Sequence, residues 1–177
     1  MILIRHGQSE FNAIYGPTRR DPGIPDPRLT PTGRRQAEAA AAALLGRGLR
    51  RLISSPYTRA LETASIIAAT LEVPVTIEPL VRERYAFSCD IGQHPHHLAR
   101  RWPQLDFAAL ALSWWSEGEE EESEAALATR ASRFRRQHAD TPDWQHVAVI
   151  THWGFIRALT GIEPTNGELI PFDPTRD

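Results

Sequence analysis

Residues 1–7 read MILIRHG. Four apolar residues running into a guanidinium, an imidazole and a glycine predict a buried strand over residues 1–4 that delivers a polar loop at its end. The same pattern returns at residues 147–154, VAVITHWG, where a strand over 147–150 leads into Thr151-His152-Trp153-Gly154. Two more apolar runs, 49–54 and 73–77, predict further strands. Helix-forming composition marks residues 32–45, 57–71, 125–138 and 153–160. Gly46 and Gly48 follow the first of these, where a helix C-terminus favours glycine; Pro56 opens the second, where its missing N–H costs least. Two short helices are predicted at 96–102 and 107–112, and residues 15–31, holding Pro17, Pro22, Pro25, Pro27 and Pro31, read as a long loop. Strands alternating with helices predict a three-layer α/β/α sandwich with a mainly parallel central sheet and ligands at the carboxyl ends of its strands. At 177 residues the chain is one domain, 1–177, with one core.

Composition narrows the chemistry. All 20 positive side chains are arginine, and without lysine a Schiff-base mechanism, a lysine-bound pyridoxal cofactor and a P-loop NTPase are excluded together. The single cysteine, Cys89, rules out intrachain disulfides and cysteine-rich metal cages and fits a reducing compartment. A formal net charge of −2 gives no long-range pull on nucleic acid or an anionic membrane. The longest apolar run, residues 39–45, is far short of the ~20 residues a span needs, and the first residues lack a signal-peptide pattern. The expectation is a cytoplasmic protein that binds neither nucleic acid nor membrane.

In a parallel sheet the loops after the first and last predicted strands open at one edge. They bring Arg5, His6 and His152 together. The loop after the second strand, Ser54-Ser55-Pro56-Tyr57-Thr58-Arg59, adds Arg59 in the first turn of a helix, where the macrodipole opposes a cation unless an anion lies nearby. Two imidazoles and two guanidiniums in one place form a local anion site suited to a phosphoryl group, with the Trp153 N–H and the Asn12 amide as further donors.

Five stretches carry a family resemblance: LIRHGQSEFN at 3–12, LTPTGRRQA at 29–37, SSPYTRALETA at 54–64, VRER at 81–84 and THWGFIRALTG at 151–161. In this order they resemble the successive motifs of the histidine phosphatase superfamily, in its phosphoglycerate-mutase-like branch; residues 85–147 do not align. The resemblance implies a phosphoglycerate-mutase-like fold, with His6 as a nucleophile that becomes phosphohistidine. Arg5, Arg59 and His152 would hold the equatorial oxygens, and Asn12 and Trp153 would add donors. Glu83 would be the proton donor to the leaving group and then the base for water, so it must meet the substrate protonated; Arg82 and Arg84 oppose this if they face it. No metal and no cofactor is implied. Gln8 and Ser9 stand where many members carry an acidic residue and a threonine, and the segment after Glu83 lacks the Gly-Trp-Glu-Gly-like element of several branches. The stretches Glu83 to His152 and His152 to the last residue are short for a mutase, which needs a lid over its phosphoenzyme.

The expected activity is therefore a metal-independent phosphatase acting on a small phosphomonoester. The alternatives are a cofactor-dependent phosphoglycerate mutase, a weakly active phosphate-binding regulator, and a hydrolase of protein phosphohistidine or phosphotyrosine. His94, His96 and His97 are interrupted by Pro95 and read as surface residues, Cys89 as a buried small hydrophobe, and Trp102, Trp114 and Trp115 as packing. Residues 119–122 read as a solvated acidic flank, with Arg130, Arg133, Arg135 and Arg136 as candidate ion-pair partners. Arg19, Arg20 and Arg28 read as solvated arginines as readily as a cationic cover for the site.

Overall fold

The computed structural model describes residues 1–116 and 121–176. The elements run β1 (Ile2–Arg5), α1 (Glu10–Thr18), α2 (Pro31–Leu44), β2 (Arg51–Ser54), α3 (Thr58–Leu71), β3 (Val75–Ile77), α4 (Pro95–Arg101), α5 (Glu124–Ala139), β4 (Val147–Thr151), α6 (Trp153–Thr160) and β5 (Leu169–Pro171). The strands lie in the order β3-β2-β4-β1-β5. All neighbours are parallel except β5, which runs antiparallel to β1.

Alternation along each strand builds the layers. Ile4, Leu52, Ala148 and Ile150 face α2 and α3, whose Ala40, Ala41, Ala60 and Ala64 let the two helices pack tightly on the sheet. Leu3, Ile53, Val147 and Val149 face the opposite way, onto Leu127, Ala131 and Phe134 of α5 and Phe155, Ile156 and Leu159 of α6. The result is the three-layer α/β/α sandwich with a mainly parallel sheet. Register then places the loops. Arg5 pairs with Thr151 and Ser54 with Ile150, and the ladder runs one step past the strands, with His6 N–H donating to Thr151 O at 3.0 Å and Ser55 N–H to Ile150 O at 3.0 Å. His6, Ser55 and His152 therefore leave the sheet side by side.

Three local expectations are corrected. The loop predicted over 15–31 begins later, because α1 reaches Thr18. Ser9 and Asn12 form a reciprocal capping box at its start, and Pro17 falls in the last turn, where a missing N–H costs one terminal bond. No helix forms over 107–112; the segment turns so that Phe107 buries with Tyr57, Leu61, Leu98, Trp102 and Trp114 in a third apolar cluster. Of the acidic run, residues 119 and 120 lie outside the described residues, and Glu122 is buried against Arg130 rather than solvated. Among the described residues no helix is long and apolar enough to cross a membrane.

Candidate active site

His6 is buried, and its Nδ1 lies 2.7 Å from Gly7 O. A carbonyl can only accept, so Nδ1 carries the proton. Burial first, then the cations of Arg59 and Arg5, hold its pKa well below the ordinary value. The ring is thus neutral at neutral pH, with its lone pair on Nε2. The loop beneath it is fixed by close backbone approach. A Cβ on Gly7 would lie 2.2 Å from Gly33 O, and one on Gly33 2.1 Å from Gln8 O, so neither position admits a side chain. Gly7 N–H donates to Thr63 Oγ1, which itself donates to Arg59 O, tying this loop to α3.

Arg59 is likewise buried. Its guanidinium stacks over the Tyr57 ring at 4.3 Å and donates to Cys89 O at 2.7 Å and Asp90 Oδ1 at 2.9 Å. Burial pushes the Asp90 carboxyl above its ordinary range, against the pull of Arg59. Arg5 donates to Pro164 O at 2.8 Å, while its Nε is buried with no partner. His152 is wholly buried, its ring 5.0 Å from that of His6 between centroids; Nε2 lies 2.7 Å from Ser55 Oγ and Nδ1 has no partner. Burial first, then the cation of Arg59, hold its pKa well below the ordinary value, so this ring is neutral as well. Arg5 Nε and His152 Nδ1 are thus two desolvated groups without a hydrogen-bond partner.

Glu83 sits on the positive end of α6. Its Oε1 and Oε2 accept from Gly154 N–H at 3.0 and 3.2 Å, and Oε1 also accepts from Arg84 N–H at 2.9 Å. Its arginine neighbours turn away: Arg82 lies against Glu122, and Arg84 pairs with Glu121 and Glu124. Arg130 braces this segment from α5, donating to Leu80 O and Arg82 O at 2.8 Å each while forming a two-point pair with Glu122. Asn12 serves as a cap: its Oδ1 accepts from Ser9 N–H and from Asn166 Nδ2, which leaves its Nδ2 to donate. Trp153 opens α6 half-buried, with Arg157 over its ring at 5.1 Å.

Three other histidines stay apart. His94, His96 and His97 are exposed and stack among themselves, and among the described residues no group of three His, Cys, Asp or Glu side chains is placed to hold a metal. Cys89 is buried, burial pushes its thiol up, and its carbonyl anchors Arg59. Sequence reasoning missed Ser55, Thr63, Asp90, Arg130 and Asn166, which hold the other groups in place. Ser55 and Thr63 lay in plain view in SSPYTRALETA; Asp90, Arg130 and Asn166 reach the site from distant segments with no local signal.

Sheet edge and side chains together define an α/β protein with two buried histidines side by side at the ends of its parallel strands. The chain belongs to the histidine phosphatase superfamily (branch 1), which matches residues 1–175. It is similar to a glucosyl-3-phosphoglycerate phosphatase of Mycolicibacterium vanbaalenii, 31% identical across 90% of this chain and 72% of that protein. It is also similar to a probable phosphoglycerate mutase GpmB of Photorhabdus laumondii, 38% identical over 83 residues; that match spans 47% of this chain and only 37% of the mutase. A mycobacterial glucosyl-3-phosphoglycerate phosphatase solved with VO3 superposes with a TM-score of 0.62 at 26% identity, covering 91% of this chain and 79% of that one.

Proposed function

We propose that this protein is a metal-independent phosphatase that hydrolyses a small phosphomonoester through a phosphohistidine at His6. The observation that carries the reading is the state of His6: a neutral ring whose proton is held on Nδ1 by Gly7 O, leaving Nε2 as the nucleophile. In the first half-reaction Nε2 forms a bond to phosphorus and the ester P–O bond breaks. Glu83 gives its proton to the departing alkoxide. Arg5, Arg59 and His152 hold the equatorial oxygens, and Asn12 Nδ2 and Trp153 N–H add donors. In the second half-reaction Glu83, now a carboxylate, takes a proton from water; the hydroxide attacks phosphorus, the P–N bond breaks, and inorganic phosphate leaves with Glu83 protonated again. The donors are guanidiniums, imidazoles and amides, a set that suits an anion rather than a metal cation.

Hydrolysis is favoured over phosphoglycerate mutase chemistry because the likeness to a phosphatase extends across most of the chain and the likeness to mutases across less than half. The test is turnover of p-nitrophenyl phosphate in excess chelator, with the phosphoenzyme trapped by quenching. An alkali-stable, acid-labile adduct present in the wild type and absent in His6→Ala is the expected outcome. Full activity in His6→Ala would overturn the reading. Isomerisation of a phosphoglycerate that depends on a bisphosphorylated primer, without release of phosphate, would select the mutase.

A further inference from the structure

We infer that Ser55 is a positioning residue: its hydroxyl donates to His152 Nε2, so the single proton of that ring stands on Nδ1, facing the transferring phosphoryl group. This deepens the proposed function and rests on it for the identity of the oxyanion, though not for the proton's position.

The argument is a count of hydrogens. Burial and the neighbouring cations keep His152 neutral, so it has one N–H to place. Its Nε2 is 2.7 Å from Ser55 Oγ, and its Nδ1 is buried and unpartnered. If Nε2 held the proton it would donate to Ser55 Oγ, and the Ser55 hydroxyl hydrogen would then need an acceptor elsewhere. The one other group bonded to Ser55 Oγ among the described residues is Tyr57 N–H, at 3.4 Å, which is a donor. That arrangement leaves a wholly buried hydroxyl hydrogen unpaired and aims a bare nitrogen lone pair into a site built for oxyanions. In the opposite arrangement every group is used: the Ser55 O–H donates to Nε2, its oxygen accepts from Tyr57 N–H, and Nδ1–H is free to donate. Which imidazole nitrogen carries the proton is set by the bond the other one makes.

Ser55 is well placed for this because it cannot drift. Its N–H is tied to Ile150 O in β4, and its own carbonyl accepts from Ser54 Oγ. The His152 ring is held between His6, at 5.0 Å, and the edge of Tyr57, at 5.2 Å.

The experiment is nitrogen NMR on protein labelled with 15N-histidine, the His152 signals assigned by their loss in His152→Gln. In the wild type, a protonated Nδ1 and an unprotonated Nε2 are expected; the reverse overturns the inference, and this arm needs no Ser55 variant and no turnover. In Ser55→Ala the tautomers should mix, vanadate inhibition should weaken by about ten- to a hundredfold, and kcat should fall with KM nearly unchanged. Ser55→Thr, which keeps the hydroxyl, should restore the tautomer and most of the affinity. An unchanged tautomer and unchanged vanadate inhibition in a folded Ser55→Ala would sink the proposal. Should the wild type show Nδ1–H yet form no phosphoenzyme, the proposed reaction fails while the role of Ser55 stands.

Discussion

Gly154 leaves no room for a side chain where Glu83 needs its backbone. A Cβ there would lie 2.5 Å from Glu83 Oε1, and its next contacts, Glu83 Cδ at 3.4 Å and Arg84 Cβ at 3.6 Å, are ordinary. The group that must move is therefore the end of a flexible side chain, while alanine suits a helix better than glycine by about 0.5–1 kcal/mol. Gly154→Ala should lower kcat by at least tenfold without lowering the thermal midpoint; a folded variant with unchanged kcat would show that Glu83 does not act from this position. Glu83→Gln should discriminate by leaving group. An alkyl phosphate needs a proton on its departing oxygen and should lose about 10²- to 10³-fold in kcat/KM, whereas p-nitrophenolate leaves readily and its ester should lose much less. Equal losses on the two substrates would remove Glu83 from the acid role. At this scale the convergence of His6, His152, Arg5 and Arg59 at one sheet edge was legible, because histidine and arginine at strand ends and glycine beside them each carry a chemical reason to be there. Ser55, Asp90 and Asn166 act on other side chains, and nothing in their immediate neighbours in sequence announces that.

The start of α3 is capped from 32 residues away. Tyr57, at its N-cap position, offers no side-chain bond; instead Asp26, reaching out of the proline-rich segment, accepts from Thr58 N–H at 2.8 Å and Thr58 Oγ1 at 2.6 Å. Asp26 is buried and held at φ +40, a left-handed conformation that the two bonds stabilise. Because Arg59 is the next residue, this cap also orients the helix that carries Arg59 into the site. Asp26→Ala should cost about 1–3 kcal/mol by leaving a buried amide and hydroxyl unpaired, read as a fall in the urea midpoint, and Asp26→Asn should cost less because it keeps an acceptor for Thr58 N–H. A midpoint unmoved by either change would mean that solvent satisfies Thr58. Elements with strong local signals were the legible ones: α2, α3 and α6 lie within a residue or so of their expected bounds, since composition, Pro31 and the βα order agree. The failures share a cause. Turn residues hid α1, helix-forming letters at 107–112 gave way to burial of Phe107, and β5, three residues long, is held by pairing with β1 rather than by its own pattern.

For the molecule as a whole, the sandwich that shelters the site also makes it acid-sensitive. His6 and His152 are buried neutral on one edge of the sheet, and His138 is buried neutral on α5, packed on Phe134 at 4.4 Å, both its ring nitrogens without a partner. Burial depresses all three, with Arg51 adding to the effect at His138. The unfolded chain takes up a proton on each near pH 6.5, where the folded chain refuses it. Folding stability is therefore unaffected by these groups above about pH 7 and is lost as pH falls from there toward their folded-state values. Each contributes at most about 1.4 kcal/mol per pH unit to that slope. His138 is the one of the three outside the site, so it tests the argument without touching the chemistry. In His138→Leu the unpaired nitrogens disappear, which should raise the urea-unfolding free energy at pH 8 by about 1–3 kcal/mol. More tellingly, the loss of stability between pH 7 and pH 5 should become shallower than in the wild type, because one of three proton-refusing groups is gone. Parallel curves for the two proteins would mean that His138 reaches solvent or a partner in the folded state, and that its burial costs the molecule nothing.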